Sequence, residues 1–500
     1  MLNDWRIFHK QKKDFRIKQH NIIDQKITVE NIKNEFEGCS DIRYKEIYLE
    51  NGMFTLVYIE GMVLTDIVDE NILKPIIYAN EVPKISINKN LDIFSKLEKG
   101  LIPHVSSSIV TTLDKVISSI LNGEICLIDS DKKNKAIVFD TRKIEKRSIT
   151  EPNSENIVKG SKESFIEALR VNISLIRTRL KTPDLKINEV LVGKKVLTRI
   201  AILYMDSVVD RGILEKVTEK IKNINTDKLV APADFEEQII DNKYNIFPQL
   251  IYTEKTDKVV SDIVEGKISV IIDGLPIVYI LPSVFPMFFQ APEDYSFNFI
   301  TASIIRFIRY LCAFLSLALP AFYVSITTFH REMIPFDLAV SITNSKEGEP
   351  FPVVIEVIFM LLSFEILIEA SKRLPKTIGQ SISIIGGLIV GQAAVSAKFV
   401  SPSVVVTIAI AGLTGFLIPN QDFSNSLRLC RFIAVIFSAY AGLYGLSIAL
   451  ILIIYYMSTI ESFGIPYFAP IAGNDAKNLL KDTLIRAPLI DMKKNNKTKE

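Results

Sequence analysis

The sequence predicts an α/β cytosolic region of two related subdomains, followed by an α-helical polytopic membrane domain. Three observations carry this expectation. Charged residues crowd the first part of the chain and apolar residues fill the rest, although the overall composition, 48% hydrophobic and 23% charged, is ordinary. A strand motif and a hairpin motif each return after about 145 residues, and long-period self-similarity is how internal duplication shows in a sequence. Beyond residue 300 lie apolar runs long enough to cross a bilayer. A chain of 500 residues also exceeds what a single core normally organises, so a modular build is expected.

Several function classes fall away on composition. The net charge of +2, with both signs mixed, gives no basic face for nucleic acid. Cys39, Cys126, Cys312 and Cys430 sit far apart, as do His9, His20, His104 and His330, so no metal, cofactor, disulfide or catalytic triad is expected. No Gly-rich phosphate loop follows either repeated strand, which argues against a nucleotide site. The first 30 residues are basic, lack an apolar stretch and do not read as a secretory signal. The polar half is therefore expected in the cytoplasm, behind a loosely ordered arm.

From residue 31 to about 155 the pattern is that of a first subdomain. FTLVYIEG from Phe54 reads as a strand followed by a helical pattern, and GEICLIDSD from Gly123 with KAIVFD from Lys135 reads as a hairpin. The order returns in residues 156 to 285. RIAILYMDSVVD from Arg199 matches the Phe54 strand, and GKISVIIDGLPIVYILP from Gly266 matches the hairpin, with Asp273-Gly274 as a two-residue turn signal. Asp206 and Asp210, four apart after the strand, read as a solvated turn. Between the two halves a helix is expected from Lys162 to Leu180. Its Arg170, Arg177 and Arg179 are suited either to an anionic partner or to docking one subdomain on the other.

Residues 286 to 300 form a connector, and Pro282 just before it with Pro286 and Pro292 inside it interrupt any long helix. Its phenylalanines suit a membrane interface; a wholly buried loop is the alternative. The membrane domain, 301 to 460, opens with Arg306 and Arg309 ahead of YLCAFLSLALPAFYVSITTF, a charge-free span. Pro320 within it is tolerable where a neighbour satisfies the carbonyl it frees. Further apolar runs near 350 to 373, 377 to 397, 402 to 418 and 432 to 457 give four to six membrane segments. A basic tail occupies 461 to 500. The positive-inside rule places that tail with the N-terminal half, which requires an even number of crossings.

The stretch from Pro350 to Asn420 is the candidate functional core. It is apolar enough for lipid yet carries Glu356, Glu365, Glu369, Gln380 and Gln392. Charges in hydrocarbon are costly and usually face a bundle interior or a water-filled path, so these five are ion-path candidates. Glu365 and Glu369 lie one turn apart on one side, with Glu356 off that stripe. Pairing of Glu365 and Glu369 with Lys372 or Arg373 is the plain structural alternative. Gly387 and Gly391, in a Gly-x-x-x-Gly arrangement, are helix-packing candidates.

ILPSVFPMFFQAPEDYSF, LPAFYVSITTFHREMIPFDL, the long block from Glu347 through Thr407, and SFGIPYFAP together resemble the A subunit of spore nutrient-germinant receptors, the GerA family. The resemblance extends through GSKESFIEALRVNISLIRTRL and the two strand motifs, covering roughly residues 30 to 475. It implies a multi-pass subunit of the spore inner membrane, partnered by a transporter-like B subunit and a lipoprotein C subunit. It also implies a homo-oligomer that passes monovalent cations when a nutrient triggers germination. Two other classes stand beside it: a secondary transporter, which should show inverted membrane repeats, and a membrane-anchored scaffold.

Overall fold

The computed structural model describes residues 26–49, 52–63, 68–74, 106–129, 134–141, 161–373, 391–469, 471 and 482–488. The chain divides into two compact units. Unit 1 takes in Met1–Asp241 and Leu250–Pro282; unit 2 takes in Asn242–Gln249 and Ser283–Glu500.

Unit 1 holds two five-stranded sheets. Helix α1 (Val29–Glu35) precedes β1 (Ile42–Leu49) and β2 (Gly52–Ile59), and then come β3 (Ser107–Val110), α2 (Leu113–Leu121), β4 (Ile125–Asp129) and β5 (Ala136–Phe139). The strands pair antiparallel in the order β1-β2-β4-β5-β3. Side chains alternate across a strand, so Cys126 and Ile128 join one core with Leu113, Val116, Ile117 and Ile120 of α2, while Ile125 and Leu127 join another with Phe54, Leu56, Ile72 and Phe139. A sheet covered on both faces needs continuous apolar strands, which is why ICLI and AIVF show no polar alternation.

The second sheet repeats this plan. After α3 (Leu169–Arg179) come β6 (Leu185–Val192), β7 (Thr198–Met205), α4 (Arg211–Lys222), α5 (Pro232–Ile239), β8 (Ile251–Thr253), α6 (Thr256–Val264), β9 (Ile268–Ile272) and β10 (Val278–Leu281). Their order is β6-β7-β9-β10-β8. The strands containing Phe54 and Arg199 thus hold the same second place, and α2 and α6 each precede the hairpin of their sheet.

Two local expectations change. The helix expected from Lys162 begins only at Leu169, because the chain before it is extended: Ser164 bridges to Lys255, and the Asn172 side chain bonds both the amide and the carbonyl of Ile166. Asp273-Gly274 does form a turn, closed by the Leu275 amide on the Ile272 carbonyl at 3.2 Å, but the hairpin loop around it is longer than two residues. Ile271 pairs with Val278, and the Asp273 carboxylate is turned to the Leu169 amide at 3.2 Å, where it caps α3.

The arginines of α3 all meet carboxylates inside unit 1. Arg177 is fully buried against Asp41, at 2.8 and 3.1 Å, and so ties α3 to the first sheet. Burial works against its charge, but Asp41 outweighs this and holds the guanidinium above its ordinary value. Arg170 reaches Glu189 at 2.6 Å and Arg179 reaches Glu163 at 2.7 Å. Asp210 caps α4 through the amides of Gly212 and Ile213, and Asp206 pairs with Arg211.

Unit 2 is helical. Pro286 and Pro292 open the 3-10 turns Phe285–Phe289 and Pro292–Tyr295, and Pro282 follows Leu281 through a cis peptide. Phe288 and Phe289 of this connector face inward, stacked on Phe423 at 5.5 Å and on Tyr310 at 4.1 Å, while Tyr295 and Phe299 stay exposed. The connector is therefore buried in part and not wholly: Phe288, Phe289 and Asp294 are enclosed. Helix α7 (Phe299–Thr328) starts well before the charge-free span, so Arg306 and Arg309 lie within it. They converge on buried Asp294, and Arg306 also meets Asp482 at 2.9 Å. The described part of the tail, 482–488, is therefore packed in unit 2.

Next come α8 (Phe336–Ser345), α9 (Val353–Arg373), α10 (Pro402–Phe416), the 38-residue α11 (Gln421–Ser458) and a small hairpin of β11 (Glu461–Ser462) and β12 (Ile465–Pro466). Among the described residues two helices, α7 and α11, are long and apolar enough to cross a membrane; α10 is apolar but shorter. Most of the run expected near 377 to 397 lies outside the described residues. Residues Asn242–Gln249 belong to this unit: Phe247 packs between Phe423 and Tyr456, and the Ile246 carbonyl accepts from Ser426 Oγ at 2.6 Å.

Candidate functional site in the carboxylate helix

Helix α9 places its three glutamates in three different surroundings. Glu356, in the first turn, is 1% exposed, and its Oε2 accepts from the Ser401 amide at 3.0 Å and from the Ser401 hydroxyl at 2.8 Å. Ser401 is the cap of α10, and Pro402 occupies the first helical position, where its missing N–H costs nothing. The carboxylate thus sits at the positive end of the α10 dipole. The Lys346 ammonium stands 3.6 Å from its Oε1. The same lysine lines a cavity of about 540 Å³ bounded by Thr327, Arg331, Ile334, Thr343 and Glu347.

Glu365 forms a two-pronged pair with Arg428 of α11. Nε meets Oε1 at 2.9 Å, and Nη2 meets Oε2. Fork-to-fork geometry of this kind fixes orientation as well as charge, so it sets the rotation of α9 against α11. Glu369 is exposed and pairs within its own helix, with Arg373 at 2.9 Å and Lys372 at 3.9 Å. Gln392 is exposed and Gly391 buried. Gln380 and Gly387 lie outside the described residues.

Gly391 stands where a methyl group would lie 3.6 Å from Val405, an ordinary contact. Closer approaches occur on α10: Gly412 lies under the Phe364 ring with no room for a side chain, and a methyl at Gly415 would lie 3.0 Å from Ser316 Oγ. The signal for these was present in AGLTG, residues 411 to 415, whose small residues recur at helical spacing.

Sequence reasoning also passed over Arg431. It is 1% exposed and joins three helices: Nε donates to the Ser316 carbonyl at 2.6 Å, and Nη2 donates to Ser316 Oγ at 2.5 Å and to the Ala411 carbonyl at 3.1 Å. Ser316 lies four residues before Pro320, which has no N–H to offer its carbonyl. Arg431 supplies the missing donor.

A family profile described as Bacillus/Clostridium GerA spore germination protein matches residues 30–498. The chain belongs to the GerA family. Among its relatives are spore germination protein KA of Bacillus subtilis (strain 168), 36% identical over 459 residues, covering 91% of this chain and 83% of the relative, and spore germination protein A1 of the same strain, 36% identical over 391 residues, covering 78% and 80%. An uncharacterized membrane protein of that strain, YfkQ, is 35% identical over 464 residues, covering 93% and 89%. Among solved structures, the N-terminal domain of the A subunit of the Bacillus megaterium germinant receptor GerK3 is similar, with 23% identity and a TM-score of 0.40, covering 51% of this chain and 93% of that one. This GerA chain is thus of the A-subunit type that its sequence blocks resemble.

Proposed function

We propose that this GerA chain is a multi-pass subunit of a nutrient-germinant receptor in the spore inner membrane, with unit 1 in the cytoplasm. It acts with a transporter-like B subunit and a lipoprotein C subunit, and relays nutrient binding by passing monovalent cations through a homo-oligomer. Family membership supports the role in germination. The observation that carries the conducting role is the exposed polar flank of α9. Glu369, Lys372 and Arg373 are more than half exposed at the C-terminal end of a largely apolar helix. Such groups are costly against lipid and are accommodated where copies of the chain enclose water.

In this reading Glu356 is an anchor for α10, Glu365 fixes α9 on α11, and the exposed Glu369 and Gln392 contribute to the path. The test is potassium release from dormant spores on nutrient addition, read together with subunit level by immunoblot. Glu369→Gln is expected to accumulate normally and release ions several-fold more slowly. Glu365→Gln leaves Arg428 without its full partner and is expected to lower the amount of protein as well. Parental release in Glu369→Gln and Gln392→Ala would sink the path and leave a membrane-anchored scaffold; solute uptake without nutrient-triggered release would favour a secondary transporter.

A further inference from the structure

The connector between α8 and α9 sets a second carboxyl group against Glu356. Glu349 lies within hydrogen-bonding reach of it. The oxygens Glu349 Oε2 and Glu356 Oε1 are both shielded from solvent, and neither has a hydrogen-bond donor among the described residues. The other Glu356 oxygen is already taken by Ser401. The surrounding charged and titratable groups do not fill the gap. Lys346 is 3.6 Å from Glu356 Oε1, beyond a hydrogen bond, and Lys398 donates instead to the Glu347 carbonyl at 3.3 Å. Tyr323 of α7 shares its hydroxyl with Ser403 at 2.7 Å.

Two ionised carboxylates in dry contact repel strongly, and a single shared proton is the smallest species that converts the repulsion into a hydrogen bond. We infer that Glu349 and Glu356 form a one-proton site, in which one hydrogen bridges the two carboxyl groups and fastens residues 346–352 to the α9–α10 corner. No chemistry beyond proton binding is involved: the O–H of one carboxyl donates to the carboxylate of the other, and on release the proton passes to water.

Burial, with the Glu356 charge second, holds Glu349 above the ordinary carboxylate range; Lys346 and Lys398 act in the opposite sense without cancelling it. The sign follows from linkage. A carboxyl group raised in the folded state contributes stability that is complete below its unfolded pKa and is lost as pH rises through its folded pKa. Raising the pH through that folded pKa therefore releases the connector, and with it Lys346 and the cavity wall it forms. This holds whether or not the assembly conducts ions.

The experiment uses the full-length protein purified in detergent. Infrared difference spectra over a pH titration are expected to contain a protonated-carboxyl C=O band that fades with rising pH and is missing from Glu349→Gln. In parallel, the melting temperature of the parent should fall with rising pH, and Glu349→Gln, which carries its own donor, should lose that fall. A band unchanged in Glu349→Gln overturns the inference. So does a pH-dependent fall that persists undiminished in that variant. Loss of the parental pH dependence on adding KCl or NaCl at constant ionic strength also overturns it, because a monovalent cation would then occupy the gap in place of the proton.

Discussion

Arg431 and Pro320 solve one problem between them. Proline leaves the Ser316 carbonyl without its helical donor, and a buried arginine supplies one. A bare cation buried in this way is costly unless its hydrogen bonds are made. Arg431→Leu is therefore expected to destabilise unit 2 by about 2 to 4 kcal/mol, since it orphans the carbonyls of both Ser316 and Ala411. Pro320→Ala restores the amide that Ser316 lacks, so the two changes should couple. A double-mutant cycle on detergent melting temperature is the check, and strict additivity would show that Arg431 does not serve the proline. Asp41 and Arg177 make a parallel case in unit 1. Asp41→Asn leaves a buried guanidinium without its counter-charge and should cost about 3 to 5 kcal/mol, whereas replacing both by apolar residues of similar volume should recover most of that in urea unfolding.

Helix packing in unit 2 depends on close contacts at α10. Gly412 has the Phe364 ring against it, so Gly412→Val must displace an aromatic side chain or separate α9 from α10. Spores carrying it are expected to hold markedly less subunit, while Gly391→Ala, which meets Val405 at 3.6 Å, should be near parental by immunoblot. Equal levels for the two would remove the distinction. Helix α11 is broken in its middle, where Gly442 has φ 56° and ψ −135°, a conformation that side chains disfavour. Gly442→Ala should therefore lower the melting temperature through backbone strain and through contact with Phe329, at 2.9 Å from the added methyl group.

At the scale of the whole chain, the duplicated sheets were legible because apolar strand patterns and their spacing are local properties of the sequence. So was the expense of glutamates in an apolar helix. Their partners were not legible. Arg428 lies 63 residues from Glu365, and Ser401 lies 45 from Glu356, and spacing says nothing about pairings made by tertiary packing. The same limit applies to Asp294 and Asp482, which redirected Arg306 from an expected flanking position to a buried one. Helix starts were misplaced where side chains capped or extended the backbone, as Asn172 and Asp273 do around α3. A fragment spanning residues 26 to 282 should unfold in one cooperative urea transition with both sheets present; stepwise loss of one sheet would mean that Asp41 and Arg177 do not couple the halves.

The excursion of residues Asn242–Gln249 into unit 2 has a consequence in time. Ile246 finds its partner Ser426 only 180 residues later. At ribosomal rates of about 5–20 residues per second, that interval lasts roughly 9 to 36 s. During synthesis the sheets of unit 1 can close long before this segment has anywhere to pack, so Phe247 waits in the open as a ready site for a chaperone or a protease. Nascent chains arrested before Phe423 should be cut within 242–249, and chains released after Phe468 should resist. Equal resistance in both would mean that the segment finds cover earlier than its final partners allow.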